Sequence, residues 1–272
     1  MLAHRFQLQK GHILNGAVTD IAAKDLRTKW LTIIGIVILG AVILNEIYNY
    51  LVFPDINYNP KDLPPLQTGV SRYDFFKDNA RVGSYLFSVD KLGQFNGQTA
   101  YFTSSHTSVL TGNVTIKLDT FYVFNDKLKP LEYRLNATVG DDRNSIICLF
   151  DGNFVNATLE TRNNTINRRV ELPENTVLID SYMIGHWDLF YKSFDLIPDK
   201  RFLFNVFVPQ LLDKVRMEIF VDKNPQTINI NGIDYVCQVV RGTEQNIVFY
   251  ISKGSVLRFE DTDQNVQITM LS

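Results

Sequence analysis

The chain has 272 residues, 45% of them hydrophobic and 12% aromatic, with a formal net charge of −2. That content is ample for the core of a single domain of ordinary size. From Val70 onward 21 Lys+Arg stand against 24 Asp+Glu in scattered order, which argues against a nucleic-acid surface, where clustered cations must displace counterions.

Residues 1–29 read as a basic head carrying Arg5, Lys10, Lys24, Arg27 and Lys29. Trp30–Phe53, WLTIIGIVILGAVILNEIYNYLVF, is the only stretch apolar enough to cross a bilayer. Trp30 to Leu44 carries no charge and rises about 22 Å as a helix; continuing to Tyr50 brings the rise to about 31 Å, the thickness a spanning helix must cover. Trp30 marks one interface, and Tyr48 and Tyr50 mark the other. Apolar residues surround this helix instead of lining one stripe, which disfavours a buried core helix. The head is long for a signal peptide and no A-x-A site follows, so an uncleaved anchor is expected. Lys24, Arg27 and Lys29 crowd one flank, whereas Glu46 to Asp62 holds only Lys61. The positive-inside bias then gives a single-pass protein of the cell membrane, N-terminus cytoplasmic and the rest outside.

Residues 54–69, with several prolines between polar residues, predict a semi-rigid stalk. From 70 to 272 alternation with period two dominates. Leu131, Tyr133, Leu135, Ala137 and Val139 alternate with Glu132, Arg134, Asn136 and Thr138, and Val215, Met217, Ile219 and Val221 repeat the pattern. One buried and one wet face per strand is the antiparallel signature. The predicted strands run from 82–90 to 265–271. Asp151-Gly152 and Asn231-Gly232 are favoured type I′ pairs, and Lys253-Gly254 separates two further apolar runs.

One segment departs from alternation. Asp180 can cap a helix that sets Met183, Trp187, Phe190 and Phe194 at helical spacing. It reads either as a cover for the core or as a lid over a cavity. The predicted fold is mainly β: a strongly curved antiparallel sheet or half-barrel with one covering helix, behind an N-terminal transmembrane helix.

Cys148 and Cys237 sit on apolar strands. Outside the cytoplasm they could pair as a disulfide, or act as small buried hydrophobes. Sequons begin at Asn113, Asn136, Asn156 and Asn163, at turns or on wet strand faces where a glycan would not unfold the sheet. His106 and His186 lack a third ligand, and FEDTDQN lacks the glycine and terminal glutamate of a calcium loop, so no metal site is expected. G-x-S-x-G, H-E-x-x-H and the phosphate loop are missing. No catalytic residue, cofactor or enzymatic activity is expected.

The break Arg168–Pro173 before the helix and the closing run YISKGSVLRFEDTDQNVQITML complete a recognisable layout. Over about 80 to 272 the chain resembles a family of extracytoplasmic curved-sheet domains of unknown function, similar in architecture to the lipoprotein carriers of the Lol system. The resemblance implies a half-barrel and carries no functional residues. Three functions compete. The first is a non-catalytic anchored domain that binds an apolar ligand or a lipidated partner, with Trp187, Phe190, Phe202, Phe204, Met217 and Ile219 lining the concave side. The second is a structural or assembly subunit of an envelope complex, and the third an uncharacterised hydrolase.

Overall fold

The computed structural model describes residues 55–180, 183–243 and 246–271. The head at 1–29 and the span at 30–53 lie outside the described residues. Among the described residues, no helix is long and apolar enough to cross a membrane.

The strands are β1 (Asp55–Asn57), β2 (Gly69–Lys77), β3 (Ala80–Phe95), β4 (Gln98–Thr111), β5 (Val114–Phe124), β6 (Pro130–Val139), β7 (Asp142–Asp151), β8 (Phe154–Glu160), β9 (Thr165–Glu171) and β10 (Val177–Leu178). A helix α1 (Ile184–Lys192) follows, then β11 (Lys200–Val208), β12 (Asp213–Val221), β13 (Gln226–Ile230), β14 (Ile233–Gly242), β15 (Ile247–Ser252), β16 (Ser255–Asp261) and β17 (Val266–Met270). Between β11 and β12 sits one 3-10 turn, Pro209–Leu211.

β2 to β9 pair in chain order as an antiparallel meander. A second meander runs from β11 through β12, β14, β15 and β16 to β17. β17 joins the two by pairing with β2, Val266 opposite Lys77. β1 and β10 lie parallel to β11 along its outer edge. β13 pairs with the start of β14. Bulges at Phe75/Phe76, Val89/Lys91, Val123/Phe124 and Tyr250/Ile251 add local twist and bend the sheet. The sheet is not closed: among the described residues β9 pairs only with β8, and the two ends approach each other through a few contacts from β7 and β9 to β11 and β12. Phe150 meets Phe207 edge-on at 5.8 Å, Lys214 Nζ donates to the Glu171 carbonyl at 2.6 Å, and Arg168 stands 3.5 Å from Asp213.

The concave side is the core. Tyr73, Tyr85, Tyr122, Tyr133, Phe204, Ile219 and Phe249, from strands of both meanders, all point into it. Eight of the nine residues of α1 are buried there, from Ile184 to Tyr191. The helix therefore lies inside the concavity, so its apolar residues need not form a single stripe.

Three expectations are corrected, and one pair of alternatives is decided. The segment at 54–69 is not a stalk, because β1 pairs with β11 and Tyr58 and Leu63 are each 6% exposed in the core. Backbone bonds from Tyr58 to Leu203, Lys61 to Ser193 and Leu63 to Asp126 hold it in place. The boundary falls at Pro54/Asp55. Asp180 does not cap the helix: Met183 is the N-cap and no side chain caps it. The turn after β7 centres on Gly152-Asn153, where only Gly152 has positive φ. That is the type II′ pattern, whereas Asn231-Gly232, positive at both residues, is type I′ as expected. Cys148 and Cys237 are both unpaired. Cys148 faces the main core, while Cys237 packs with Ile228, Ile230 and Leu257 in a separate cluster under β13.

Candidate functional site

Three groups of contacts anchor α1. Gly185 N–H donates to the Tyr85 hydroxyl at 3.0 Å, and Val256 N–H donates to Asp188 Oδ1 at 2.8 Å. Lys192 closes an i,i+4 ion pair on the other Asp188 oxygen. Beyond the last turn, Ser193 Oγ and Tyr58 Oη lie 2.8 Å apart. Gly185 is required for close approach, because a Cβ there would overlap the Phe87 ring.

Just before the helix, Asp180 is 3% exposed, and its carboxylate accepts from the Tyr133 hydroxyl and from Gln210 Nε2, the latter at 2.6 Å. Burial pushes this carboxyl up to about 6, partly offset by those two hydrogen bonds. His186 Nδ1 accepts the Asp180 N–H at 3.3 Å, and its ring lies 4.9 Å from Tyr122. Burial lowers its pKa to about 3, so the imidazole is neutral. Gln210 belongs to the turn between β11 and β12, and thus links that hairpin to the buried acid.

The expected ligand-binding residues converge. Phe202 faces Ile219 and Phe204 faces Met217 across the β11–β12 ladder. Phe190 lies 4.5 Å from Phe204 and 6.1 Å from Trp187. Phe190, Phe202, Phe204 and Ile219 are no more than 3% exposed and belong to the main core. Trp187 and Met217 are different, because they line a half-open cleft of about 530 Å³.

The cleft arises from unequal strand lengths. β14 pairs with β12 only from Ile219 to Val221, and Thr243 N–H still reaches the Glu218 carbonyl at 3.2 Å. From Asp213 to Met217, β12 pairs with β11 on one side and with no described strand on the other. Ile179, Trp187, Val215, Met217, Ile247 and Phe259 give it an apolar lining. Arg216 of β12 also lines it, as do Asp261 of β16 and Asp263 of the turn that follows. A second hollow of about 470 Å³ is walled by the turns Asn125–Pro130 and Leu172–Val177 and does not reach α1.

Sequence reasoning missed Asp180 as a buried acid, along with Tyr133, Gln210 and Arg216. Only the capping pattern drew attention to Asp180, and it pointed to the wrong role. His106 is exposed and bonded to Asp119 at 2.5 Å, remote in role from His186. Among the described residues, no three metal-ligating side chains gather. Asn113, Asn136, Asn156 and Asn163 are all exposed, on the β4–β9 part of the sheet and not around the cleft.

No curated protein matches the chain. The chain is similar, at low identity, to two solved structures. A β-barrel-like protein from Brucella abortus, of the domain of unknown function DUF1849, is 10% identical with a TM-score of 0.47, covering 77% of this chain and 98% of that one. An exported protein from Bacteroides fragilis with a YmcC-like fold is 8% identical with a TM-score of 0.32, covering 78% and 98%. The model of one family of unknown function matches residues 71–270, β2 through β17, and the chain belongs to that family, DUF3108.

Proposed function

We propose that this is a non-catalytic, membrane-anchored extracytoplasmic domain that binds the apolar part of a ligand or lipidated partner in the cleft above Trp187. The observation that carries the reading is the apolar part of that cleft's lining, set where one strand stops short of its neighbour. A volume of about 530 Å³ is within the ordinary range for small-molecule sites. Each CH₂ buried there contributes about 0.8 kcal/mol. The anchor at 30–53 holds the domain at the bilayer, and the basic head keeps the N-terminus cytoplasmic. A non-enzymatic role fits the polar groups of the interior: the Asp180 carboxylate is taken up by Tyr133 and Gln210, and Asp188 by Val256 and Lys192. Any glycans on the four sequons would leave the cleft uncovered.

A second reading has its own support. Since α1 fills the concavity, the domain is also suited to be a rigid structural subunit of an envelope complex. Lipid mass spectrometry of the full-length chain purified from membranes, wild type beside Trp187→Ala, separates the two. A lipid retained by the wild type and lost from the variant supports the cleft. Equal lipid content in both, with partner proteins retained instead, supports the structural subunit.

A further inference from the structure

One edge of β12 is open along the cleft. Val215, Arg216, Met217 and Glu218, consecutive in the strand, all line it. Successive residues of a strand face opposite sides of the sheet, so a hollow that meets all four runs along the strand's edge. In an antiparallel strand the N–H and C=O of one residue turn to one neighbour, and those of the next residue turn to the other. The Glu218 carbonyl turns toward β14, where it accepts the Thr243 N–H at 3.2 Å. The N–H and C=O of Arg216 and Lys214 therefore turn the same way, beyond Gly242, where β14 ends. Asp213 Oδ1 accepts the Lys214 N–H at 2.8 Å. Among the described residues nothing takes the Arg216 N–H, the Arg216 carbonyl or the Lys214 carbonyl.

Alternating donors and acceptors along a strand edge match the backbone of another strand. This fold already adds short strands to an edge: β1 and β10 lie along β11 over 3 and 2 residues. The side chains define what such a strand must carry. Val215 and Met217 are half-buried and pack against the main core, whereas Arg216, on the other face, is exposed. Residues of an added antiparallel strand that stand opposite Val215 and Met217 would enter the cleft, which Trp187 also lines. The residue opposite Arg216 would lie outside, beside the guanidinium. Lys214 Nζ is taken by the Glu171 carbonyl at 2.6 Å, and Glu218 stands 3.6 Å from Arg201. Arg216 forms no ion pair among the described residues, so an acid opposite it completes a favourable cross-strand pair.

We propose that β12 is a docking edge for an extended segment of a partner protein, added as an antiparallel strand with apolar side chains in the cleft and an acidic one on Arg216. This rests on the cleft reading above and adds that the partner is held by its backbone. In docking of this kind main-chain bonds supply affinity and alternate side chains supply specificity.

The test uses the full-length chain in lipid nanodiscs and a fluorescein-labelled nine-residue peptide, threonine alternating with valine and glutamate at its centre, read by fluorescence anisotropy. A second peptide carries lysine at the centre. Two more are N-methylated, one on the glutamate, whose N–H would turn to β12, and one on the preceding valine, whose N–H would turn away. The glutamate peptide is expected to bind about tenfold tighter than the lysine peptide, a difference of about 1.4 kcal/mol. Arg216→Glu should reverse that order. Methylating the glutamate should weaken binding about tenfold, and methylating the valine about twofold or less.

Equal effects of the two methylations, a greater effect at the valine, or a preference unchanged in Arg216→Glu overturns the strand pairing. So does a wild-type dimer that the peptide fails to dissociate, which would assign the edge to a second copy. If no peptide binds while the wild type still retains a lipid that Trp187→Ala loses, the docking edge falls and the cleft reading stands. Loss of both peptide and lipid binding removes the cleft reading as well.

Discussion

Phe190 and Trp187 lie on the same helix, three residues apart, with 0% and 2% of their surface exposed. By burial they are equivalent, but their surroundings are not. Phe190 is enclosed by Tyr58, Phe194 and Phe204 at ring distances of 5.2, 4.8 and 4.5 Å. Trp187 has Phe249 at 4.6 Å on one side and the cleft on another. Low accessibility therefore does not mean full packing, since a side chain can be shielded from water by the walls of a hollow it helps to form. The filled side is the scaffold, and the hollow side carries the proposed binding cleft.

The largest expected effect tests the filled side. A chain begun at Gly69 loses β1, Tyr58 and Leu63, and Phe190 loses its seal. Two buried side chains of this size are worth about 5 kcal/mol or more together, comparable to the whole stability of a domain. Such a chain should fail to fold, whereas one begun at Asp55 should give a cooperative urea transition. If both unfold at the same urea concentration, Tyr58 is not part of the core.

Next, Phe190→Ala should destabilise by about 3–5 kcal/mol, while Trp187→Ala, whose void joins an existing cleft, should lose about 1–3 kcal/mol. Only the second should alter binding of an apolar dye. Equal losses in urea titrations would mean that the cleft and the core are energetically alike.

A smaller effect is expected at the contact between helix and sheet. Gly185→Ala inserts a methyl group against Phe87, and overpacking of this kind typically destabilises by about 1–3 kcal/mol. A melting temperature unchanged from wild type would show that Phe87 can turn away.

The smallest net effect is with pH, because two buried groups oppose each other. Asp180, raised to about 6, adds stability that is full below its ordinary value near 3.8 and is lost as pH rises through 6. His186, lowered to about 3, adds stability present above its ordinary 6.5 and lost as pH falls toward 3. Between pH 6 and 4 the two partly cancel, with Tyr133, Tyr85 and Gln210 as the groups facing them. Asp180→Asn removes the acid-side gain, so its stability should fall more steeply than that of wild type over this range. Parallel curves from denaturation at several pH values would contradict this account of the two sites.

Much of the fold is written in period two. β6, β11 and β12 each bury one face, so Tyr133, Phe204 and Ile219 were assigned to the inside from alternation alone. β2 was not read as a strand. Its Val70 is 59% exposed, and the bulge between Phe75 and Phe76 interrupts the pattern. β1 and β10 span only 3 and 2 residues and have no pattern of their own; they exist because β11 offers an edge to pair with. The prolines of 54–69 suggested a linker, but proline is compatible with an edge segment that needs few backbone donors. The cleft was legible only as two of its residues, Trp187 and Met217. Its existence depends on where Gly242 ends one strand relative to Asp213 at the start of another, and no residue type encodes that offset.

The pairing of β17 with β2 places the latest of the described strands in the middle of the sheet instead of at an edge. Val266 meets Lys77, so this register cannot form until nearly all of the domain has been synthesised. Neither meander can complete its core alone, because α1 is held by Tyr85 from one and by Val256 from the other. Long-range closure of this kind is slow and leaves strand edges unpaired while it proceeds. Until the last strands arrive, the free edge of β2 is therefore the part of the first meander most exposed to wrong pairing.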